Sequence, residues 1–166
     1  MTTEDNLKEA FAGESQANRR YLAFASKADK EGLKQVARLF RAAAAAETVH
    51  AQNHLEAMEG VKGTAENLQE AIDGETHEFT EMYPKMIKAA EADGNQEALK
   101  AFRFANQVEK EHAAFYQKAL EAVKSGKDLQ EKRMLVCPVC GHTVEESAPE
   151  SCPICGTPGS RFLDIE

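Results

Sequence analysis

Cysteine is missing from the first 136 residues of this 166-residue chain, and all four that occur lie between positions 137 and 155. No apolar run approaches the ~20 residues that a membrane-spanning helix needs. The N-terminus, MTTEDNLKEA, lacks the basic-then-apolar order of an export signal. These absences predict a cytoplasmic protein with no membrane partner, and in that compartment clustered cysteines favour metal over disulfides. Clusters of Lys and Arg are also lacking. With a net charge of -8, that argues against nucleic acid, whose phosphates bind through such clusters. Neither a dinucleotide-binding glycine fingerprint nor a P-loop occurs, so any nicotinamide cofactor in the chemistry would be oxidised by a separate protein.

Strand-like alternation is absent up to Gly126, and four helical stretches fill that length. Thr2 or Thr3 caps the first, whose inward positions run Leu7, Phe11, Glu14, Ala17, Tyr21 and Ala25 before Gly32 ends it. The second carries Phe40, Ala43, Glu47, His50 and Ala57 and ends near Gly60 and Gly63; its alanine run from 42 to 46 permits close helix approach. The third, capped by Thr64, carries Leu68, Ile72, Glu75, Phe79, Met82 and Met86, with a kink expected at Pro84 because proline lacks the backbone donor. The fourth carries Leu99, Phe102, Glu109, His112, Tyr116 and Val123, and Ser125-Gly126 closes it.

What these helices hold is a repeated motif, Glu47-x-x-His50 and Glu109-x-x-His112. Residues three apart share a helix face, so each motif aims a carboxylate and an imidazole at one point. Glu14 lies on the stripe of the first helix, and Glu75 with Glu78 on that of the third. One Glu from each of two helices plus a Glu-x-x-His from each of the others is the pattern of carboxylate-bridged di-iron and di-manganese bundles. A single buried carboxylate costs several kcal/mol in desolvation, and a pair of dications removes that conflict for the whole cluster. Glutamate oxygen and imidazole nitrogen suit Fe(II) or Mn(II). His54 could stand behind His50, whereas His77 and His142 read as surface or turn positions. Tyr21 and Tyr83 follow Glu14 and Glu78 closely enough to reach the cluster, though packing explains them as well.

Past a charged linker from Lys127 to Arg133, the composition changes to Cys, Pro, Gly and β-branched residues. The chain thus divides into a helical domain over residues 1–130 and a small domain over 131–166, too short to be held by apolar burial alone. Cys137-Pro-Val-Cys140-Gly and Cys152-Pro-Ile-Cys155-Gly are two tight knuckles, each offering two thiolates to one ion. Spacing alone fits zinc or a single iron.

The segments AFAGES around Glu14, AETVH, GETHEFTEMYP, VEKEH and both CPxCG knuckles resemble those of rubrerythrins, and the likeness runs through essentially the whole chain. The resemblance implies a mainly α fold: a ferritin-like four-helix bundle followed by a small rubredoxin-like metal-knuckle domain with short β-strands. It implies iron in both, with Glu47 and Glu109 bridging a pair, Glu75 and His112 completing one position and Glu14 the other, where Glu78 and His50 exchange on reduction. Cys137, Cys140, Cys152 and Cys155 would hold the single iron.

The activity so implied is a non-haem di-iron peroxidase that reduces hydrogen peroxide to water. Electrons would come through the four-cysteine centre from a reductase or rubredoxin fed by NAD(P)H, and Glu78 would supply a proton. A ferritin-like ferroxidase is the rival, and a metal-bound scaffold with a zinc ribbon is a third reading.

Helix length suggests at least a homodimer. The fourth helix runs about 18 Å beyond His112 at ~1.5 Å per residue, which would carry its own four-cysteine domain away and leave a neighbour's to deliver electrons. In ferritin-like topology the second and third helices run parallel, so the connector must return roughly 30 Å. The handful of residues near 60–65 spans at most ~18 Å, which predicts that helices are swapped between chains.

Overall fold

In the computed structural model, residues 2–166 are described. They form two compact units, one running up to Lys62 and the other from Gly63 onward.

The first unit is a helical hairpin of α1 (Thr3–Lys30) and α2 (Lys34–Ala57). Thr2 caps α1 by accepting from the Asp5 N–H, while the Asp5 carboxylate takes the Thr2 N–H in return, which satisfies two of the donors a helix start leaves free. The interface is built from small side chains, with Ala25, Ala28, Ala37, Ala44 and Ala51 buried, and this lets the two backbones approach closely. Beside them Tyr21, Phe24 and Phe40 pack with ring centroids 5.5 to 6.3 Å apart. After Ala57 the chain curls back on its own helix, with Met58 N–H donating to the His54 carbonyl and Gly60 N–H to that of Leu55.

The second unit opens with α3 (Thr64–His77), continues through a wide π turn (Glu78–Met82) into α4 (Tyr83–Ala92), and returns along α5 (Gln96–Lys124). Thr64 is the first helical residue and not the cap; Gly63 takes that place, its N–H held by the Glu66 carboxylate at 3.3 Å. The irregularity expected at Pro84 takes the form of the π turn just before it. Tyr83 N–H reaches five residues back to the Glu78 carbonyl, a ring wide enough to accommodate a proline that offers no N–H. Asn95 caps α5 by accepting from Ala98 N–H. Leu99, Val108 and Leu120 are buried on α5, and Tyr83 packs on Phe102 at 6.3 Å.

The tail forms a three-stranded antiparallel sheet from β1 (Met134–Val136), β2 (Thr143–Glu145) and β3 (Leu163–Ile165), with β1 in the middle. Leu135 pairs with Val144 on one side and Asp164 on the other. Here the expectation that α5 carries its four-cysteine domain away is corrected. The linker after Lys124 doubles back, and the tail lies along α5: Glu145 meets Lys118 at 2.7 Å, His142 meets Glu111 at 2.7 Å, and Thr143 reaches His112 at 3.2 Å. Nine linker residues extended at ~3.3 Å each readily cover the ~18 Å that α5 advanced.

Candidate metal centres

Three groups of ligand-type side chains converge among the described residues. In the first unit Glu14 of α1 joins Glu47 and His50 of α2; in the second Glu75 of α3 joins Glu109 and His112 of α5; in the tail the four cysteines meet. Ligand atoms within each group lie within 4.8 Å of one another. The repeated Glu-x-x-His motif therefore does what its spacing predicts locally, with His50 Nδ1 2.9 Å from Glu47 Oε2 and His112 Nδ1 3.0 Å from Glu109 Oε2.

The first cluster is braced by a polar residue inside the alanine interface. Asn18, one turn beyond Glu14 and buried, donates to the Ala44 carbonyl at 2.7 Å and to Thr48 Oγ1 at 2.8 Å. Its own amide oxygen accepts from Arg19 Nε. The bond to Ala44, one turn before Glu47 and His50, fixes the two helices in the register that brings Glu14 to those ligands. His50 is the most open member, with its side chain 54 % exposed against 18 % for Glu47.

In the second cluster the charges conflict. Glu75 Oε1 is 3.6 Å from His112 Nδ1, and Glu75 and Glu109 also hydrogen-bond each other. Burial, then the charge of Glu109, pushes the Glu75 carboxyl up to about 7; burial and the nearby Glu78 also raise Glu109. Two ionised carboxylates this close repel by about 3–4 kcal/mol at an effective dielectric of about 20, so a proton or a cation belongs between them. The donor set, carboxylate oxygen with imidazole nitrogen, fits a hard or borderline dication such as ferrous iron. Glu78 is not one of the three converging residues. It stands at the start of the π turn, close enough for its charge to act on Glu75 and Glu109; burial first, and then the charges of Glu109, Glu78 and Glu75, raise the Tyr83 phenol above its ordinary range.

In the tail, Cys137 Sγ and Cys155 Sγ are 3.5 Å apart, as are Cys140 and Cys152. Each knuckle turns on a glycine with positive φ, Gly141 at 85° and Gly156 at 76°, a backbone that side chains with a Cβ resist. The turn directs N–H groups at sulfur: Val139 and Cys140 toward Cys137, Ile154 and Cys155 toward Cys152. Against the cost of burial, the Thr157 hydroxyl, 3.1 Å away, and its N–H bring Cys155 down to about 6, while burial pushes Cys140 up. Four sulfurs with unequal proton affinity in one pocket are a thiolate site for a tetrahedral ion, with hydrogen bonds already placed to take up the negative charge.

Two residues are placed differently from expectation. His142 is buried, its Nδ1 bonded to Glu111, not a surface position. Thr143, which nothing in the sequence singled out, touches His112. No helix among the described residues is long and apolar enough to cross a membrane.

Comparison with known proteins agrees with this geometry. The family described as rubrerythrin matches residues 5–120, and the rubrerythrin rubredoxin-like domain matches residues 136–163. The chain is 36 % identical to rubrerythrin-2 of Clostridium acetobutylicum, over 96 % of its own length and 95 % of the relative. It is 37 % identical to rubrerythrin of Porphyromonas gingivalis, over 96 % and 88 %, and 34 % identical to nigerythrin of Nitratidesulfovibrio vulgaris, over 85 % and 75 %. A solved structure of nigerythrin in a partially reduced state superposes with a TM-score of 0.58 at 33 % identity, covering 99 % of this chain and 87 % of that one. The chain belongs to the rubrerythrin family of iron-dependent oxidoreductases, with a di-iron centre in the helical part and a rubredoxin-like iron in the four-cysteine domain.

Proposed function

We propose that this protein is a cytoplasmic non-haem di-iron peroxidase that reduces hydrogen peroxide to water, re-reduced through its four-cysteine centre by a reductase or rubredoxin ultimately fed by NAD(P)H. The observation that carries the reading is Glu78, a carboxylate at the edge of the Glu75–Glu109–His112 cluster but outside its ligand triad. A ligand set alone serves storage as well as catalysis; a spare carboxylate beside it is a proton donor in waiting. When bound, a reduced iron pair supplies two electrons together, so peroxide is reduced without releasing a hydroxyl radical.

The chain's own groups divide the remaining work. Glu14, Glu47 and His50 would hold one side of the pair and Glu75, Glu109 and His112 the other. Glu78 would hand its proton to the departing oxygen and, when deprotonated, take the position that the exposed His50 vacates. The four-cysteine domain favours this reading over iron storage, which would leave it without a task.

The two triads fall in different compact units, and a complete site needs both. The curl at Met58 and Gly60 uses up part of the connector, which supports a homodimer in which α1 and α2 of one chain combine with α3 to α5 of another.

The test is stopped-flow mixing of anaerobically reduced, iron-analysed protein with peroxide or with oxygen. Rapid reoxidation by peroxide and slow reoxidation by oxygen is the expected result; equal or slower reaction with peroxide overturns the assignment. Glu78→Ala should keep both irons and lose ~10²-fold or more in peroxide turnover, the usual worth of a positioned acid.

A further inference from the structure

The first knuckle of the four-cysteine domain rests on the metal cluster of its own chain, and the contact is chemical as well as steric. Thr143 Oγ1 donates to the Gly141 carbonyl at 3.0 Å and lies 3.2 Å from Nε2 of His112. A hydroxyl has one proton. With that proton on Gly141, the oxygen presents lone pairs to the imidazole, so Nε2 carries the hydrogen. Nδ1, facing Glu109 at 3.0 Å and Glu75 at 3.6 Å, is then the nitrogen free to take a cation.

Three further contacts hold the knuckle in this place. His142, 9 % exposed, bonds Glu111, the residue before His112 on α5; Lys118 pairs with Glu145; and Val108, 2 % exposed, lies 3.6 Å from where a Cβ on Gly141 would stand. The burial of His142 and Val108 separates this contact from a chance surface touch.

We propose that Thr143 is a positioning residue that fixes His112 for metal and electronically couples the four-cysteine centre to the Glu75–Glu109–His112 cluster of the same chain. The route runs from Cys140 along the backbone to the Gly141 carbonyl, through the Thr143 hydroxyl and onto the His112 ring, two hydrogen bonds in place of a gap. Each transfer moves one electron: the tetrathiolate iron passes from ferrous to ferric, and one iron of the pair from ferric to ferrous. Two transfers re-arm the pair, and no covalent bond changes. The proposal deepens the peroxidase reading and rests on its electron relay, but it needs no peroxide.

Flash photoreduction of the oxidised holoprotein by a photoexcited flavin, without peroxide, reads the coupling directly. The ferric tetrathiolate absorbance first bleaches, then recovers as the electron moves on. In Thr143→Val the recovery should slow by about 10-fold or more, and cobalt(II) titration of protein whose four-cysteine site keeps its iron while the helical site has been emptied should show the affinity of the helical site falling ~10–100-fold, the usual cost of losing a hydrogen bond behind a metal ligand. Thr143→Ser, which keeps the hydroxyl, should restore both. Wild-type behaviour of Thr143→Val, or failure of Thr143→Ser to rescue, overturns the proposal.

Mixed dimers of a Thr143→Val chain with a His112→Ala chain test whether the coupling is internal. Internal coupling leaves no intact pair and no fast phase; a fast phase of about half amplitude shows transfer between chains and overturns it. Because peroxide is absent throughout, sluggish peroxide turnover would count against the function and leave this result standing.

Discussion

The side-chain amide of Asn18 donates to the backbone carbonyl of Ala44 across the α1–α2 interface at 2.7 Å, in a seam otherwise made of alanine methyls. A buried amide with its partners satisfied specifies register where apolar contacts would allow sliding. Asn18→Ala removes the donor to Ala44 and leaves the Thr48 hydroxyl with one fewer partner. The expected loss is about 1–3 kcal/mol of stability, read as a lowered urea midpoint. Asn18 stands one turn from Glu14, so the same change should also weaken metal uptake by the first triad. An unchanged midpoint would show that the alanine seam sets the register by itself.

Gly159 has no room for a side chain. A Cβ there would meet the Pro149 carbonyl oxygen, far inside contact distance and against backbone that cannot rotate away. The same residue's N–H is bonded to the Glu150 carbonyl at 2.9 Å, which ties the segment after the second knuckle to the one before it. Gly159→Ala should therefore leave the helices intact by far-ultraviolet circular dichroism while the tail loses iron to a chelator that leaves the unaltered protein loaded. Removing the metal from the unaltered protein should likewise disorder the tail, since strands of three residues cannot hold themselves.

Local chemistry was legible in the residues, and tertiary placement much less so. Thr2 and Gly32 start and stop the first helix by rules that act within one turn, so its ends fall where patterning puts them, while the third helix misses its expected cap, Thr64, by one residue. The Glu-x-x-His pairs and the cysteine knuckles are local geometry too, and each closes as its spacing demands. Pro84 announced a missing donor but not the wide turn that accommodates it, because which carbonyl is skipped depends on packing against α5. His142 looked like a turn residue since its partner, Glu111, lies 31 positions away and is itself an ordinary helix-surface glutamate. Thr143 carried no signal at all; only the return of the tail along α5 gives its hydroxyl something to hold.

Glu145 ties that return in place. Lys118 first and then Lys132 hold its carboxyl below the usual carboxylate range. A carboxylate with a depressed folded pKa contributes stability above its unfolded value, near 4.5, and loses it as pH falls through the folded one. Docking of β2 on α5 should accordingly loosen as the solution is acidified below that value. Concentrated salt should loosen it at neutral pH, because screening shortens to about 3 Å at 1 M. Hydrogen exchange of the 125–133 linker reads both effects, and Glu145→Gln should show the faster exchange at neutral pH, the difference closing as acid neutralises the unaltered carboxylate. Linker protection that is indifferent to acid, salt and the substitution would assign the docking to His142 and Val108 alone.

The swapped dimer makes a prediction that no unswapped arrangement shares. Consider one chain with Glu47→Ala and His50→Ala, and another with Glu109→Ala and His112→Ala. Each alone builds only defective sites, whatever the topology. If α1 and α2 of one chain complete the site with α3 to α5 of its partner, a mixed dimer sorts the damage: one site collects both mutated halves and the other collects none. Mixed dimers should then bind one iron pair and recover about half the peroxide turnover per dimer. Without the swap each site keeps one mutated half, and mixing restores nothing. Metal analysis of dimers purified with two affinity tags separates the cases. Recovery requires ligands from two chains to meet in a single centre, because neither chain supplies both an intact first triad and an intact second one.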